Sequence, residues 1–449
     1  MTFQAAQSYL VQLVNEMASR RMPNRLDRME SFLAVLGNPE RRYPTIHVAG
    51  TSGKGSTSTM TATVLQAAGK RTGLHTKPHL SSVTERARVD GVSIPPEAFG
   101  DLMGEIQIAV GRMGYDHGPP TYYETLLALA FLWFARSRVD VAVIEAGIGG
   151  TLDGTNVLTP RVSVITNVAL DHTEILGETV AEIARNKAGI AKPGVPLVSA
   201  TRDAQARRVI EHACADVGAP FISVPDTVRI ETGENPPGGQ SFTVVTPLDR
   251  YDLSVPILGD FQQENAATAI RALEQLDATL RPSREAIEAG FTRLQIPGRM
   301  ELFPSHPSVV FDIAHNPDKA QHVADALARA FPDHRFAFVM AIGESQDAVE
   351  VIRPFVALPG SLFTFTSFSE AAGRNPIPPQ RLAVLAESIG ARGPAISDPL
   401  AAFLIARRNA EPDDIIVITG STFVVAELRE WFLTNSNSTQ RRSSVDKLR

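Results

Sequence analysis

The segment Ala49–Thr57 reads AGTSGKGST and combines glycine, hydroxyl and lysine residues in a spacing that suits phosphate binding. It follows the short apolar run Thr45–Ala49 and precedes the helical pattern Ser56–Ala68. A turn of this kind directs backbone N–H groups and the positive end of a helix at an anion. Lys54 can then contact β- and γ-phosphate oxygens, and the Ser56 hydroxyl can ligate Mg²⁺. The sequence therefore predicts a nucleoside triphosphate site.

The nucleotide is predicted to be ATP. The usual pattern G-x-x-x-x-G-K-[ST] is not met literally, because Val48 occupies its first position and Gly55 separates Lys54 from Ser56. Guanine-specific proteins usually carry N-K-x-D, and the nearest string, NKAG at 186–189, lacks the aspartate. A glycine-rich turn without a ligand is the alternative interpretation. The predicted ATP-binding residues of this turn are Gly50, Thr51, Ser52, Gly53, Lys54, Gly55, Ser56 and Thr57.

Apolar runs and helical patterns alternate on both sides of this turn. Strand-like runs at 45–49, 139–147, 161–166 and 195–200 are separated by helical stretches. Alternation of this type indicates βαβ units and an α/β fold with a doubly wound, mostly parallel sheet. Ligands of such sheets bind at the carboxyl ends of the strands. Glu145 lies at such an end, and its carboxylate suits Mg²⁺.

A second α/β domain is predicted after the stretch 294–308, which contains three prolines, one glycine and no periodicity. The predicted domains are 1–297, with N-terminal helices and the ATP-binding sheet, and 298–434, a smaller Rossmann-like α/β domain. The polar residues 435–449 are predicted to be a disordered tail.

The composition excludes several classes of protein. The chain of 449 residues carries 43 lysines and arginines against 49 acids, and a net charge of −6 disfavours sequence-independent nucleic-acid binding. The single cysteine, Cys214, excludes a disulfide framework and fits a reducing compartment. The apolar run Leu126–Ala135 is too short to span a bilayer. We therefore expect a cytoplasmic protein with small-molecule substrates and neither membrane nor nucleic-acid partners.

Nine segments of the chain, taken in order, resemble the folylpolyglutamate synthase/dihydrofolate synthase family of the Mur ligase superfamily. The resemblance extends from about residue 25 to residue 433. The segments are LDRMESFLAVLGNPERRYPTIHVAGTSGKGST, HTKPHLSSVTERARVDG, VDVAVIEAGIGGTLDGTNV, VITNVALDHTEILG, IARNKAGIAKPGVP, LGDFQQENAATAI, PGRMELF, DIAHNPDKA and TGSTFVVAELR.

The resemblance implies an ATP-dependent amide ligase that adds L-glutamate to a folate or pteroate carboxylate through an acyl phosphate. It also implies two Mg²⁺ sites and a carbamate on Lys187, which would convert a cation into an anion beside the second metal. On this basis the expected metal ligands are Ser56, Glu145, His172 and Lys187. The expected catalytic residues are Lys54, Lys187, His172 and His315.

The family pattern also assigns residues to the nucleotide and the two other substrates. It implies that Asn265 binds adenine and that Arg299 and Asp312 lie near the ATP phosphates or ribose. It assigns the substrates to His79, His315 and Ser421. A monomer is expected.

Each of these residues has a simpler structural interpretation. Glu145 could cap a strand, His172 could be an ordinary loop histidine, and Lys187 could be a surface lysine at a helix end. Asn316 could be a helix N-cap, and Gly420-Ser421 could be a turn.

Several positions depart from the family pattern and bear on the acceptor more than on the reaction. They are Lys77 for a serine, Thr151 for an arginine, Asn186 for a glutamate, Ile313 within D-G-A-H-N-P, and the altered segment Gly343–Asp347. A Mur-type ligase for a different carboxylate and a non-catalytic ATP-binding protein therefore stay open as alternatives.

Overall fold

The strands form where β-branched and other apolar residues follow one another without a polar face. In the computed structural model, which describes residues 1–20, 26–114, 118–233, 236, 238–369 and 375–446, the strand β1 is Thr45–Ala49 and is buried throughout. Such continuous burial is typical of a parallel strand with helices on both faces of its sheet. The strand predicted from TIHVA is thereby confirmed.

The chain divides into two units. The first comprises Met1–Pro256 and Gln262–Leu294, and the second comprises Ile257–Phe261 and Gln295–Arg449. The predicted domain boundary, between residues 297 and 298, lies close to the division between Leu294 and Gln295.

The main sheet of the first unit has the order β4-β3-β2-β5-β1-β6-β7-β8. Six of its strands pair in parallel, in the order β2-β5-β1-β6-β7-β8. The strands β3 and β4 add an antiparallel edge next to β2. The doubly wound, mostly parallel sheet is therefore confirmed. Its other strands are β2 (Thr72–His75), β3 (Arg88–Val89), β4 (Val92–Ser93), β5 (Val141–Glu145), β6 (Val162–Ile165), β7 (Leu197–Ser199) and β8 (Phe221–Ser223).

Helices cover both faces of this sheet. The predicted apolar helix is α5, in which Leu126–Leu132 and Phe134 are buried, so this run belongs to the core. The helices of the unit are α1 (Phe3–Arg20), α2 (Leu26–Val35), α3 (Lys54–Ala67), α4 (Pro96–Val110), α5 (Tyr122–Ser137), α6 (Thr173–Leu176), α7 (Val180–Ala188), α8 (Ala204–Val217), α9 (Val224–Thr227), α10 (Phe261–Leu273) and α11 (Arg284–Thr292).

A small antiparallel sheet follows β8 and has the order β11-β10-β9. Its strands β9 (Arg229–Thr232), β10 (Gln240–Val245) and β11 (Arg250–Val255) alternate buried and more exposed residues along β10 and β11. This alternation is typical of a sheet with one covered face.

The second unit is a five-stranded sheet of order β12-β13-β16-β14-β15, parallel except for β12. This confirms the smaller α/β architecture expected for the C-terminal part. Its strands are β12 (Glu301–Phe303), β13 (Ser308–Phe311), β14 (Phe336–Met340), β15 (Leu362–Phe365) and β16 (Ile415–Thr419), and its helices are α12 (Pro317–Ala330), α13 (Ala348–Val356), α14 (Pro379–Glu387), α15 (Pro399–Asn409) and α16 (Thr422–Asp446).

The predicted disordered tail begins at residue 435. The helix α16 continues to Asp446, and residues 447–449 lie outside the described residues. Neither glycine nor proline occurs between Thr422 and Asp446, so no residue of this segment forces the helix to stop. Within the described part of the chain, no helix combines the length and the apolar content that crossing a membrane requires.

Candidate active site

The phosphate loop connects β1 to α3 and contains two glycines in conformations that other residues rarely adopt. Gly50 has φ +147° and Gly53 has φ +80°. A Cβ on Gly50 would overlap Thr166 Oγ1, and one on Gly53 would overlap Asn265 Oδ1. Glycine is required at both positions, because the backbone conformation and the close neighbours exclude a side chain.

The loop is held from the next strand of the sheet. Thr166 and Asn167 follow β6, which pairs with β1. The Thr166 hydroxyl donates to the carbonyl oxygen of Ser52 at 2.6 Å, and Asn167 Oδ1 accepts from the N–H groups of Thr51 and Ser52 at 3.1 and 2.8 Å. The N–H groups of Thr51 and Ser52, two predicted ATP-binding residues, are thus engaged within the protein. The sequence analysis gave Thr166 and Asn167 no role, although the two residues directly follow an apolar, strand-like run.

Lys54 begins α3 and folds back over the loop. Its ammonium group donates to the carbonyl oxygens of Gly50 and Thr51 at 2.8 and 3.0 Å. The predicted phosphate-binding lysine is therefore positioned by the loop that it would serve.

Glu145 ends β5, the other neighbour of β1, and is 3% exposed. Its Oε2 accepts from the backbone N–H of Lys77 at 2.9 Å and lies 3.3 Å from a Cβ built on Gly55. Ser56, in the same first turn of α3, is 4% exposed. The structure therefore places the Glu145 carboxylate against the phosphate loop. A residue that only capped the strand would not need this contact.

Lys187 is buried in α7 with 2% exposure, which excludes the surface-lysine interpretation. Its ammonium group donates to the carbonyl oxygen of Gly50 at 2.9 Å. Burial and the nearby charges of Lys54 and Lys77 lower the pKa of Lys187 to about 7, although Asp171 acts in the opposite direction. A lysine with this pKa carries a reactive neutral amine near neutral pH.

His172 stands at the N-cap of α6 with φ +49°, and its side chain is 44% exposed. Its ring nitrogens lie 4.0 Å from Asp171 Oδ1 and 3.7 Å from Glu174 Oε1. Among the residues that the structure describes, no group of three or more histidine, cysteine, aspartate or glutamate side chains could hold a metal ion. The described side chains around His172 could therefore supply only some of the ligands that a metal ion needs.

Asn265 lies in α10 against the phosphate loop. Its Oδ1 accepts from the Thr57 hydroxyl at 3.5 Å, and its Nδ2 donates to Gln262 Oε1 at 2.8 Å. The side chain predicted to bind adenine therefore also supports the start of α3.

The segment between β2 and β3 carries His79. The Glu85 carboxylate accepts from the N–H groups of Leu80, Ser81 and Ser82 at 2.8–3.0 Å and so fixes the segment. Arg86 Nε donates to His79 Nδ1 at 3.2 Å, and burial together with the Arg86 charge lowers the pKa of His79 to about 4.

In the second unit, Asp312 follows β13 and is 4% exposed. Its oxygens accept from the N–H groups of Met300 and Ala314 at 2.8 and 2.7 Å. Burial raises the pKa of Asp312, and the positive charge of Arg299 counteracts that rise. Asp312 and Arg299, predicted as nucleotide-binding residues, are therefore electrostatic neighbours.

His315 and Ser421 follow β13 and β16, which are adjacent parallel strands. His315 Nδ1 donates to the Ile313 carbonyl oxygen at 2.9 Å, and the N–H of Gly420 donates to the Ala314 carbonyl oxygen at 3.0 Å. The two loops therefore meet at the carboxyl edge of this sheet. Asn316 is the N-cap of α12, as its structural interpretation held.

Two departures from the family pattern contact each other. The Thr151 hydroxyl and its N–H both donate to the Asn186 carbonyl oxygen at 2.9 Å, and Asn186 Oδ1 accepts from the N–H of Gly150 at 3.0 Å. Ile313 is 6% exposed, so it is a core residue. In the altered segment 343–347, Asp347 caps α13 through the N–H of Glu350 at 3.2 Å.

Comparison with known proteins identifies two family domains in the chain. Residues 48–273 match the Mur ligase middle domain, and residues 298–422 match the Mur ligase glutamate ligase domain.

Relatives with assigned activities match almost the whole chain. The dihydrofolate synthase/folylpolyglutamate synthase of Bacillus subtilis is 33% identical over 410 residues, which cover 90% of this chain and 94% of that protein. The folylpolyglutamate synthase of Lacticaseibacillus casei is 33% identical over 413 residues, covering 90% and 94%.

Solved structures agree with these relatives. Escherichia coli FolC in complex with DHPP and ADP has a TM-score of 0.84 and 26% identity, covering 96% of this chain and 98% of that one. Folylpolyglutamate synthase from Thermotoga maritima has a TM-score of 0.83 and 28% identity, with the same coverage. Together with the phosphate loop, Glu145 and Lys187, these matches show that the chain belongs to the folylpolyglutamate synthase/dihydrofolate synthase family of Mur ligases.

Proposed function

We propose that this protein joins L-glutamate to the carboxylate of a folate or a pteroate, using ATP and releasing ADP and phosphate. The proposal is carried by the phosphate loop at 49–57, with Glu145 against it, in a chain that matches ligases of this kind over 90% of its length. A carboxylate reacts poorly with an amine at neutral pH, so it needs activation as an acyl phosphate.

Phosphoryl transfer depends mainly on positioning and charge neutralisation. Lys54 supplies a cation to the β- and γ-phosphates, and the start of α3 supplies its dipole and N–H groups. Thr166 and Asn167 hold the loop in its conformation, because they form hydrogen bonds with the Ser52 carbonyl oxygen and with the N–H groups of Thr51 and Ser52. Asn265 has the role of an adenine contact, as the family pattern implies.

The residues beside the loop fit Mg²⁺. Glu145 offers a buried carboxylate and Ser56 a buried hydroxyl, and oxygen ligands completed by phosphate and water are what Mg²⁺ prefers. When bound, the ion neutralises charge on the β- and γ-phosphates. A second Mg²⁺ is proposed at His172 and Lys187, with Asp171 close by.

Lys187 is proposed to be carbamylated. Carbamate formation requires a neutral amine, and the pKa of about 7 provides one near physiological pH. The modified side chain would be an anion and would attract a second cation, which an ammonium group would repel.

The second unit is proposed to serve the amino acid and part of the nucleotide. His315 and Ser421, on neighbouring loops, would bind the incoming glutamate, and Arg299 and Asp312 would contact ATP. His79, in the first unit, would contact the acceptor. We also propose that the protein is a cytoplasmic monomer that binds no nucleic acid. Light scattering coupled to size-exclusion chromatography measures its mass and so tests the monomer.

An ADP-release assay tests the function. We expect release only when glutamate is present together with dihydropteroate or tetrahydrofolate. Release with glutamate and an unrelated carboxylate alone would indicate a Mur-type ligase with another acceptor. ATP binding without any amide product would indicate a non-catalytic nucleotide-binding protein.

A further inference from the structure

The segment that follows β5, residues 147–151, packs against the end of α7, and the proposed reaction gives this contact no role. A Cβ built on Gly150 would lie 2.7 Å from the Lys187 carbonyl oxygen, and one on Gly189 would overlap Thr151 Oγ1. Atoms that are not bonded do not approach so closely, so only glycine permits this packing. The contact therefore depends on a glycine from each of the two segments.

Asn186, in α7, binds this segment through both its side chain and its backbone. Its Oδ1 accepts from the N–H of Gly150 at 3.0 Å. Its carbonyl oxygen accepts from the N–H and from the hydroxyl of Thr151, both at 2.9 Å. The last carbonyl groups of a helix lack a helical donor four residues on, so Thr151 supplies donors to the end of α7.

Asn156 makes a second link between the same two segments. It is 6% exposed, and its Nδ2 donates to the carbonyl oxygens of Thr151 and Gly189, both at 3.0 Å. The segment after β5 is therefore fixed to the end of α7 from two sides of the contact.

The joined segments carry two of the proposed metal ligands. Glu145 ends β5, just before the segment, and Lys187 directly follows Asn186. Glu145 Oε2 lies 3.3 Å from a Cβ built on Gly55 of the phosphate loop. The Lys187 ammonium group donates to the Gly50 carbonyl oxygen at 2.9 Å. The hydrogen bonds of Asn186 thus connect the two ligands to each other independently of the loop.

Resting on the proposed function, we infer that Asn186 and Thr151 are positioning residues that set the spacing between the Glu145 carboxylate and the Lys187 amine. This spacing fixes the separation of the two proposed Mg²⁺ sites. Asn186 and Thr151 replace the glutamate and the arginine of the family pattern, so two opposite charges give way together to a neutral hydrogen-bonded pair. A replacement at one position alone would leave a charge beside an uncharged neighbour, so the two positions act as a pair.

Calorimetry on the full chain with AMPPCP, in Mg²⁺ and in EDTA, tests this inference without turnover. The magnesium gain, which is the factor by which Mg²⁺ increases the affinity for AMPPCP, is the measured quantity. Removal of a residue that orients metal ligands lowers metal affinity by about 10–100-fold. We therefore expect Asn186→Ala to lower the magnesium gain by about tenfold, with the affinity in EDTA within about threefold of the wild type. Asn186→Asp keeps an oxygen for the Gly150 N–H and should keep the gain.

A double-mutant cycle with Lys187 separates positioning from a general loss of structure. In Lys187→Ala the side chain that Asn186 orients is absent, so adding Asn186→Ala should lower the magnesium gain by less than about twofold. Thr151→Val removes the hydroxyl and keeps the branched shape, so it should lower the gain by about threefold. Thr151→Ser keeps the hydroxyl and should match the wild type.

Asn409→Ala is the matched control, since it removes an exposed asparagine side chain from the end of another helix, α15. It should keep the wild-type gain. The inference is overturned by an unchanged gain in Asn186→Ala, by an equal loss in Asn186→Asp, or by losses that add in the cycle with Lys187. Absence of a gain in the wild type, or a loss of affinity in EDTA alone, would overturn it as well. ADP release by the wild type is scored separately, so the proposed ligase activity can stand when this inference fails.

Discussion

The ammonium group of Lys187 lies 2.9 Å from the backbone carbonyl oxygen of Gly50, a residue 137 positions earlier in the chain. This hydrogen bond joins α7 to the first residue of the phosphate loop. It brings the proposed carbamylation site and the proposed triphosphate site into contact. A chemical change at the Lys187 amine therefore alters a hydrogen bond of the phosphate loop directly.

Carbamylation of Lys187 should be detectable by ¹³C NMR after equilibration with ¹³C-labelled bicarbonate. Carbon dioxide reacts with the neutral amine, so the signal should rise as the pH is raised through the pKa of about 7. An ordinary lysine would be neutral in only about one molecule in a few thousand at this pH. Lys187→Arg should lack the resonance, and a spectrum that does not differ between the two proteins would refute the carbamate.

Lys187→Ala should abolish glutamate-dependent ADP release while the protein stays folded. Removing an amine and its single hydrogen bond to Gly50 leaves a small cavity that the fold can tolerate. Circular dichroism and the thermal midpoint check the fold. Wild-type turnover in this variant would exclude a catalytic role for Lys187.

Lys54→Ala should lower kcat/KM for ATP by about a hundredfold or more, because a preorganised cation at the transferred phosphoryl group is lost. The measurement is ADP release at varied ATP with acceptor and glutamate in excess. Lys70→Ala, in the loop after α3, serves as the control. Undiminished activity of Lys54→Ala would mean that the loop does not bind phosphate in this way.

Gly53→Ala and Gly69→Ala form a matched pair, because the two residues have φ +80° and +77°. A Cβ on Gly53 would overlap Asn265 Oδ1, whereas nothing lies within 4 Å of one on Gly69. Both variants should lose about 1 kcal/mol of stability from backbone strain. Only Gly53→Ala should also weaken AMPPCP binding, by about tenfold, and equal binding by both would contradict the cradle geometry.

The first unit should become less stable as the pH falls from 6.5 to 4. His47 and His75 are fully buried and neutral, and each has one buried ring nitrogen without a hydrogen-bond partner among the described residues. Burial lowers the pKa of each to about 4. The unfolded chain binds these protons near pH 6.5 and the folded chain does not, so stability present above pH 6.5 is lost on acidification.

The loss should amount to about 3 kcal/mol per histidine over this interval. Urea unfolding at pH 7 and pH 4 measures it. His47→Gln should flatten the pH dependence, because the glutamine side chain does not titrate. A dependence as steep as that of the wild type would show that His47 does not contribute.

The loop and its chemistry could be predicted from the sequence because they depend on neighbours in the chain. The run TIHVA, the two glycines, Lys54 and the helix that follows are contiguous, and contiguous residues specify a strand, a turn and a helix start. The order of further motifs indicated the family. The strand β5, with Glu145 at its carboxyl end, could be predicted for the same reason, although its run was predicted as 139–147 and spans Val141–Glu145.

The contacts between these motifs required the tertiary structure. Sequence order does not state that β5 and β6 flank β1, and this arrangement alone brings Glu145, Thr166 and Asn167 to the phosphate loop. The same holds for Thr151 and Asn186, two departures from the family pattern that contact each other across 35 residues.

The sequence by itself determined the local elements, the phosphate loop and the family, because each of these depends on short segments of contiguous residues and on their order along the chain. Only the tertiary structure decided that Lys187 is buried against Gly50 and that Arg86 is buried with its Nε donating to His79 Nδ1. The physical reason is that burial and charge compensation depend on every element packed around a side chain. Those elements come from distant parts of the chain, so no local pattern specifies them.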